Sequence, residues 1–394
     1  MTPRRLGPKG TVPNRHCAPF SRNRSLRSPP MSVEHKSPPP GSEARDRLRI
    51  AVVGTGLLGE RHARFWGQQD DVDLVGLIDL NIQQATNAAE RLAGTFGIPR
   101  PPVFTSLDDL LKSSGADAVS VATPDFAHRD PVVRALEAGL HVLVEKPLAM
   151  TTDDAKAMTA ASRRSGRWLM VNHSMRWIPR YRAIHDAIRS GQWGKMVVAH
   201  SAKSDVIHVP TEMLRWASRT SAAYFLTAHD LDLVRWFAGD RIVRVYAQGA
   251  RGVLDRNGID AYDAIQSSVT FANGSIASFE ASWIHPNTYP SFTDDYMHVI
   301  CENGVAYLDR GREGTEVFET DRVRHPKHST VYEQDGRIYG SFRHALEHFT
   351  HCIRAGIEPL TSARRVMGVV SALEAIHRSL DSGMPVIVDD GFGD

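Results

Sequence analysis

The sequence predicts an α/β unit followed by an α+β unit: first a parallel sheet wound with helices, then an open, mostly antiparallel sheet packed by helices. Two observations carry this. From Arg49 to Asn172 short apolar, β-branched runs alternate with helical stretches, the spacing of repeated strand-helix units joined by right-handed crossovers. From Gly194 the runs lengthen and alternate in polarity, and Asn273-Gly274 and Asn303-Gly304 join consecutive runs, the strongest short-range hairpin signal.

Composition narrows the class. The chain is 42% hydrophobic and 23% charged over 394 residues, ordinary for a globular protein of two domains. No apolar run approaches the roughly 18 residues that span a bilayer, so a membrane protein is not expected. Cys17, Cys301 and Cys352 lie far apart in no disulfide or metal-ligand pattern, which makes a reducing cytoplasm the expected compartment. Residues 1–46 hold nine Lys or Arg against three Asp or Glu and are rich in Pro, Arg and Ser. Such a stretch buries too little apolar surface to offset the entropy of ordering, and a disordered basic tail is expected. Arg4-Arg5 is followed by no apolar segment, so an export signal is rejected. The tail reads as a solvated arm, an arm that touches nucleic acid, or sequence upstream of a true start at Met31. Since the whole chain carries only +2, its body is mildly acidic, which argues against a nucleic-acid surface on the folded part.

The first domain is placed at residues 47–172. Its first strand, Arg49 to Gly54, runs into Gly54-Thr55-Gly56-Leu57-Leu58-Gly59 and then a helix, Glu60 to Gln68. Between a strand and a helix these glycines have a mechanism. Gly54 permits the tight turn, Gly56 lets a pyrophosphate approach the backbone, and Gly59 lets the helix pack on the sheet. The next strand ends at Asp79, 20 residues after Gly59, where a dinucleotide-binding Rossmann fold places the carboxylate for the adenine ribose. Leu80 and Asn81 follow, and without Arg or Lys there to take a 2′-phosphate, NAD is favoured over NADP. Asp79 reads equally as the N-cap of the helix Ile82 to Thr95. The alternation continues through Val103-Phe104, helix Leu107 to Ser113, strand Ala118 to Ala122, helix His128 to Glu137, strand His141 to Glu145, helix Asp153 to Arg164 and strand Trp168 to Asn172. Thr123-Pro124 and Lys146-Pro147 both stand at carboxyl ends of strands, where open α/β sheets bind ligands.

At these residues the sequence resembles the glucose-fructose oxidoreductase, inositol dehydrogenase and MocA (Gfo/Idh/MocA) family. The resemblance rests on the glycine turn, on Ala122-Thr123-Pro124 with His128, and above all on Gly139-Leu140-His141-Val142-Leu143-Val144-Glu145-Lys146-Pro147. It continues through Arg176-Trp177-Ile178-Pro179 and His229-Asp230-Leu231-Asp232, covering roughly Leu48 to Val388. It implies a cofactor site at Gly54, Gly56, Leu57, Leu58, Gly59, Asp79, Thr123, Pro124, His128, Glu145 and Lys146. It also implies that Lys146 takes part in proton transfer beside the nicotinamide and that His229, from the second domain, completes the catalytic pair. Glu145 is expected to orient local structure rather than react. Many members carry an aspartate four residues before the histidine, where this chain has Phe225. Either Lys146 carries more of the proton transfer, or Asp232 or a residue from elsewhere substitutes.

The second domain is placed at residues 173–394. Strands are expected at Lys195 to Asp205, Arg241 to Arg251, Asp263 to Ala272, Ser275 to Trp283, Tyr296 to Glu302 and Val305 to Asp309. A helix from Ser221 to Ala238 puts His229, Asp232 and Trp236 on one stripe facing the cleft. Arg176, Lys203, Trp216, His229, Asp232 and His285 are the candidate contacts to a polyhydroxylated substrate, which needs several fixed donors and acceptors. The family implies that the sheet face away from the helices pairs subunits into a homodimer or homotetramer, and Val269, Phe271, Ile276 and Phe279 are taken as that face. His344, Glu347, His348 and His351 lack a metal-site motif, so no metal is expected, and Phe342, Leu346, Phe349 and Ile353 read as the buried stripe of their helix. The expected activity is NAD(P)-dependent hydride transfer with a secondary alcohol of a sugar, inositol or related polyol. Two other readings are an NAD-dependent glycosidase using transient oxidation and a non-catalytic dinucleotide-sensing regulatory protein.

Overall fold

A computed structural model describes residues 47–113 and 115–388, and the expected basic tail lies outside the described residues. The first sheet has six parallel strands in the order β3-β2-β1-β4-β5-β6. They are β1 Leu48–Val53, β2 Val72–Ile78, β3 Val103–Phe104, β4 Ala118–Val121, β5 His141–Val144 and β6 Leu169–Val171. The order reverses between β1 and β4, the switch point outside which such sheets bind ligands. Helices α1 Leu57–Gly67, α2 Ile82–Phe96, α3 Leu107–Ser113, α4 Arg129–Glu137 and α5 Thr152–Ser165 connect the strands. Ile50, Val52, Phe65 and Trp66 are buried between sheet and helices. The N-cap of α2 is Asn81, whose side chain accepts from the backbone of Gln83 and Gln84. Asp79 is therefore not the cap, and both its oxygens turn back to the glycine loop and the start of α2.

After β6 comes α6 Pro179–Arg189, a helix that sequence periodicity passed over. The second sheet is then built from β7 Met196–Val206, β8 Ile242–Ala250, β9 Ala264–Phe271, β10 Ile276–His285, β11 Thr293–Cys301 and β12 Val305–Asp309. Between these strands lie α7 Ala228–Ala238 and the short α8 Val253–Arg256. Two small hairpins follow, β13 Val317–Phe318 with β14 Val323–Arg324 and β15 Tyr332–Gln334 with β16 Arg337–Tyr339. Helices α9 Ser341–Ala355 and α10 Ala363–Ser382 and strand β17 Val386–Ile387 end the fold. The order is β12-β11-β7-β10-β9-β8-β17, antiparallel except for β7 with β10.

Alternation along these strands decides what faces what. Val269, Phe271 and Phe279 are buried on the helix side, so three of the four residues expected on the open face are core. The open face instead carries Val197, Ile276, Tyr296, Ile300, Val305 and Tyr307. The inward stripe of β7 runs Ala199, Ser201, Lys203, Asp205 and that of β11 runs Asp295, Met297, Val299, all buried. The stripe thus changes from apolar to ionic at one end of the sheet, next to the first domain's switch point. α9 packs Phe342, Leu346 and Phe349 into the core that holds Ile50 and Trp66, with Ile353 against its edge, as its periodicity predicts. Thr361 fastens the following segment to β6 through Val171 N–H to its carbonyl at 2.9 Å and its own hydroxyl to Val171 O at 2.6 Å.

Candidate functional site

The glycine turn is constrained by sterics at two positions and open at the third. Gly54 has φ +86°, and a Cβ there would stand 2.8 Å from Ala122 C and O. A Cβ on Gly59 would lie 1.8 Å from Gly54 O, so α1 could not seat on the turn. Gly56 is different: a Cβ there meets nothing within 4 Å. The protein itself does not require glycine at 56, and the space suits a pyrophosphate at the N-terminus of α1. Leu57 is 64% exposed beside it. Asp79 Oδ2 accepts from Thr55 N and Oγ1, both at 2.8 Å, and from Gln84 Nε2 at 3.1 Å, while Oδ1 accepts from Asn81 N at 2.9 Å, which aims the carboxylate beside the turn and leaves Oδ1 a lone pair for a ribose hydroxyl.

His128 does not face a ligand. Its two ring nitrogens lie 2.8 Å from Pro147 O and 3.0 Å from Thr123 O, and it is 1% exposed. It ties the Thr123-Pro124 loop to the Lys146-Pro147 loop, so its expected cofactor contact is corrected to a structural one. Burial draws it below the ordinary imidazole range. Glu145 is likewise internal. It accepts from His62 Nε2 and Asn172 Nδ2, each at 2.7 Å, and these bonds outweigh burial to hold its carboxyl down at about 2. It fixes the backbone from which Lys146 projects.

Lys146 and His229 meet in a cavity of about 550 Å³ that also exposes Leu58 and Arg61 of α1, Asn172, Met175, Lys203, Asp205, Phe225 and Asp295. This size suits a small ligand. Lys146 Nζ donates to Phe225 O at 2.7 Å and lies 4.4 Å from the Phe225 ring centre. Phe225 belongs to a π-helical turn, Ala223–Thr227, leading into α7, so the predicted single helix is broken where the site begins. Burial draws Lys146 below its usual ammonium range, countered by Glu145, Asp125 and Asp205. His229 is drawn well below the imidazole range by burial and by Lys146 and Lys203, which makes it neutral. Its Nδ1 is buried without a hydrogen-bond partner among the described residues.

The candidate substrate contacts divide. Lys203 reaches the cavity but is committed to Asp295 at 2.7 Å, with Asp230 at 3.8 Å, and this pairing lifts it above the usual lysine range despite burial. Arg176 and Asp232 form a bidentate pair at 2.8 and 2.6 Å, 4% and 1% exposed. They lock α7 onto the segment after β6, and neither lines the cavity. Asp232 is therefore not the substitute for a carboxylate at 225. Trp216 packs against the apolar cluster of Val209, Leu226 and Trp283, and His285 packs edge-on against Tyr289, both off the cavity lining. His344 lies 3.3 Å from Glu347, and His348 accepts from Leu360 N at 3.0 Å. Sequence reasoning missed Thr293, Asp295, Lys327 and Arg61. Beginning β11 at Tyr296 cut off the two residues that reach the cavity; a carboxylate in phase with the buried stripe Met297, Val299 was the available signal.

Residues 48–173 match the family model of oxidoreductases with an NAD-binding Rossmann fold, and residues 181–307 match the GFO/IDH/MocA C-terminal domain. The chain is 27% identical to a D-apiose dehydrogenase of Paraburkholderia graminis over 86% of this chain and 89% of that protein. It is 26% identical to a scyllo-inositol 2-dehydrogenase (NAD(+)) of Bacillus subtilis over 87% of this chain and 97% of that protein. A solved myo-inositol 2-dehydrogenase from Lactobacillus plantarum shares the fold with a TM-score of 0.74 at 21% identity, covering 87% of this chain and all of that one.

Proposed function

The chain belongs to the GFO/IDH/MocA family of NAD-binding oxidoreductases, and from that premise we propose that it oxidises, or in reverse forms, a secondary alcohol of a sugar, inositol or related polyol with NAD. The observation that carries this reading is the meeting of Lys146, from the end of β5, with His229, from α7, in one cavity beside the glycine turn. The open space at Gly56, the aimed carboxylate of Asp79 and the orphaned His229 Nδ1 fit a bound dinucleotide and its substrate. When bound, NAD supplies the hydride acceptor. Residues 54–59 would hold its pyrophosphate, Asp79 its adenine ribose, and the absence of Arg or Lys at positions 80 to 82 favours NAD over NADP.

The chain's own groups do the rest. Lys146, anchored on the Phe225 carbonyl, presents its remaining donors to the substrate oxygen and stabilises charge that develops there. Neutral His229 fixes the hydroxyl by a hydrogen bond. The relatives' substrates direct the test: purified protein with NAD and myo-inositol, scyllo-inositol or D-apiose should form reduced nicotinamide. Lys146→Ala should lower kcat by about 10²- to 10⁴-fold with NAD affinity kept. Equal rates in wild type and variant would sink the assignment.

A further inference from the structure

Three carboxylates line the cavity, and two are already engaged. Glu145 is held by His62 and Asn172, and Asp295 by Lys203 at 2.7 Å and Lys327 at 3.3 Å. Asp205 differs. It is 1% exposed at the end of the β7 inward stripe, and Thr293 Oγ1 donates to its Oδ1 at 2.5 Å. Among the described residues it makes no ion pair and accepts no other hydrogen bond. Its second oxygen is an uncommitted acceptor in the cavity that holds Lys146 and His229.

The other two groups are poorly placed to keep a proton. Lys146 as an ammonium has none of its nitrogen's lone pair to offer. His229 is buried and faces the charges of Lys146 and Lys203, which outweigh the pull of Asp295 toward an imidazolium, and its Nδ1 has no hydrogen-bond partner among the described residues. We propose that Asp205 is the proton acceptor of the reaction, taking the hydroxyl proton of the substrate carbinol while Lys146 donates a hydrogen bond to the same oxygen. This rests on the dehydrogenase reading above. In oxidation the carbinol C–H bond breaks with its electron pair leaving as hydride to NAD, the O–H proton bonds to the Asp205 carboxylate, and the O–H electrons become the second C–O bond. In reduction the protonated Asp205 returns its proton to the new alkoxide.

The groups facing Asp205 are Lys203 on its own strand, Lys146 beyond β5, Asp295 and Thr293 on β11, with His229 of α7 across the cavity. Burial and Asp295 push its carboxyl up, Thr293 and the two lysines pull it back, and the balance is about 6. The experiment compares full-length wild type, Asp205→Asn and Asp205→Glu, with NAD and myo-inositol, scyllo-inositol and D-apiose as probes. Wild-type kcat/KM for oxidation should climb as pH is raised through about 6. Asp205→Asn should lose that limb and about 10²- to 10⁴-fold in kcat while binding NAD as wild type by calorimetry, and Asp205→Glu should recover part of both. Carbon-13 NMR of the apo protein, labelled at aspartate carboxyls, should show a resonance titrating near 6 that is missing in a folded Asp205→Asn. Turnover by Asp205→Asn with wild-type kcat and an intact acid limb overturns the inference and leaves the dehydrogenase reading standing. The same holds if the resonance titrates at the ordinary aspartate value. Failure of wild type to reduce NAD with any of the three polyols overturns the reading and the inference together.

Discussion

Asp205 and Glu145 show how one cavity sets two buried carboxylates to opposite ends. Glu145 is ionised at every working pH because two donors repay its burial; Asp205 has one donor and stays near neutrality. The linkage signs differ accordingly. The folded-state carboxyl of Asp205 lies above its unfolded value of 3.8, so the folded protein is penalised as pH rises through that interval and fully so above about 6. Asp205→Asn should therefore stabilise the protein at pH 8, by at most about 3 kcal/mol, with the gain shrinking toward pH 4. Urea unfolding at both pH values checks this; a variant less stable than wild type at pH 8 would show that the Thr293 contact outweighs the buried charge. Glu145→Gln should act the other way, costing about 2–4 kcal/mol, because His62 and Asn172 both donate to Oε1, where an uncharged amide oxygen accepts more weakly, and the amide nitrogen then faces the Lys146 N–H that Oε2 accepts. At this scale the sequence was only partly legible. Lys146 and His229 are visible in their motifs, whereas the pairing of Arg176 with Asp232 joins residues 56 positions apart, and no local pattern announces it. The isolated polar side chains expected to touch substrate were the ones whose partners decided otherwise.

Elements were more legible than residues, since periodicity and glycine punctuation are local properties. The six strands of the first sheet and their connecting helices follow from short apolar runs and turn residues, and the hairpins at Asn273-Gly274 and Asn303-Gly304 join β9 to β10 and β11 to β12. What escaped was α6, the short α8, the two small hairpins of β13 to β16, the π-helical turn before α7 and the first residues of β11. The π-helical turn departs from simple period, the start of β11 keeps the period but puts a carboxylate on the buried stripe, and both lie at the cavity. The glycine turn allows a separation of folding from binding within one element. Gly56→Ala has open space and an ordinary φ of −68°, so stability should stay within about 0.5 kcal/mol of wild type while NAD affinity falls at least tenfold. Gly59→Ala drives a methyl into the Gly54 carbonyl and should destabilise the fold itself. Thermal melting beside NAD calorimetry separates the two; loss of stability in Gly56→Ala would refute the steric account.

In the whole molecule, the site exists because the ends of two sheets meet. The inward ionic end of the β7 and β11 stripes supplies Lys203, Asp205 and Asp295, the end of β5 supplies Lys146, and α9 packs back from the far end of the chain into the first domain's core. The opposite face of the second sheet remains open, with Tyr307 69% and Ile276 50% exposed and His200, Tyr296, His298 and Tyr307 forming a continuous ladder of rings. A face with Val197, Ile276, Ile300 and Val305 among those rings is an apolar surface of the kind that pairs in homo-oligomers, and we propose that it does so here. An isologous contact places each residue against its own symmetry-related region, so one added charge counts twice. Tyr307→Asp with Val305→Asp should then move the protein from a dimer or tetramer to a monomer in sedimentation velocity. Circular dichroism should be unchanged, because both side chains point away from the core. The cavity lies on the other face, so NAD binding should survive dissociation. A wild type that sediments as a monomer at micromolar concentration would refute the pairing.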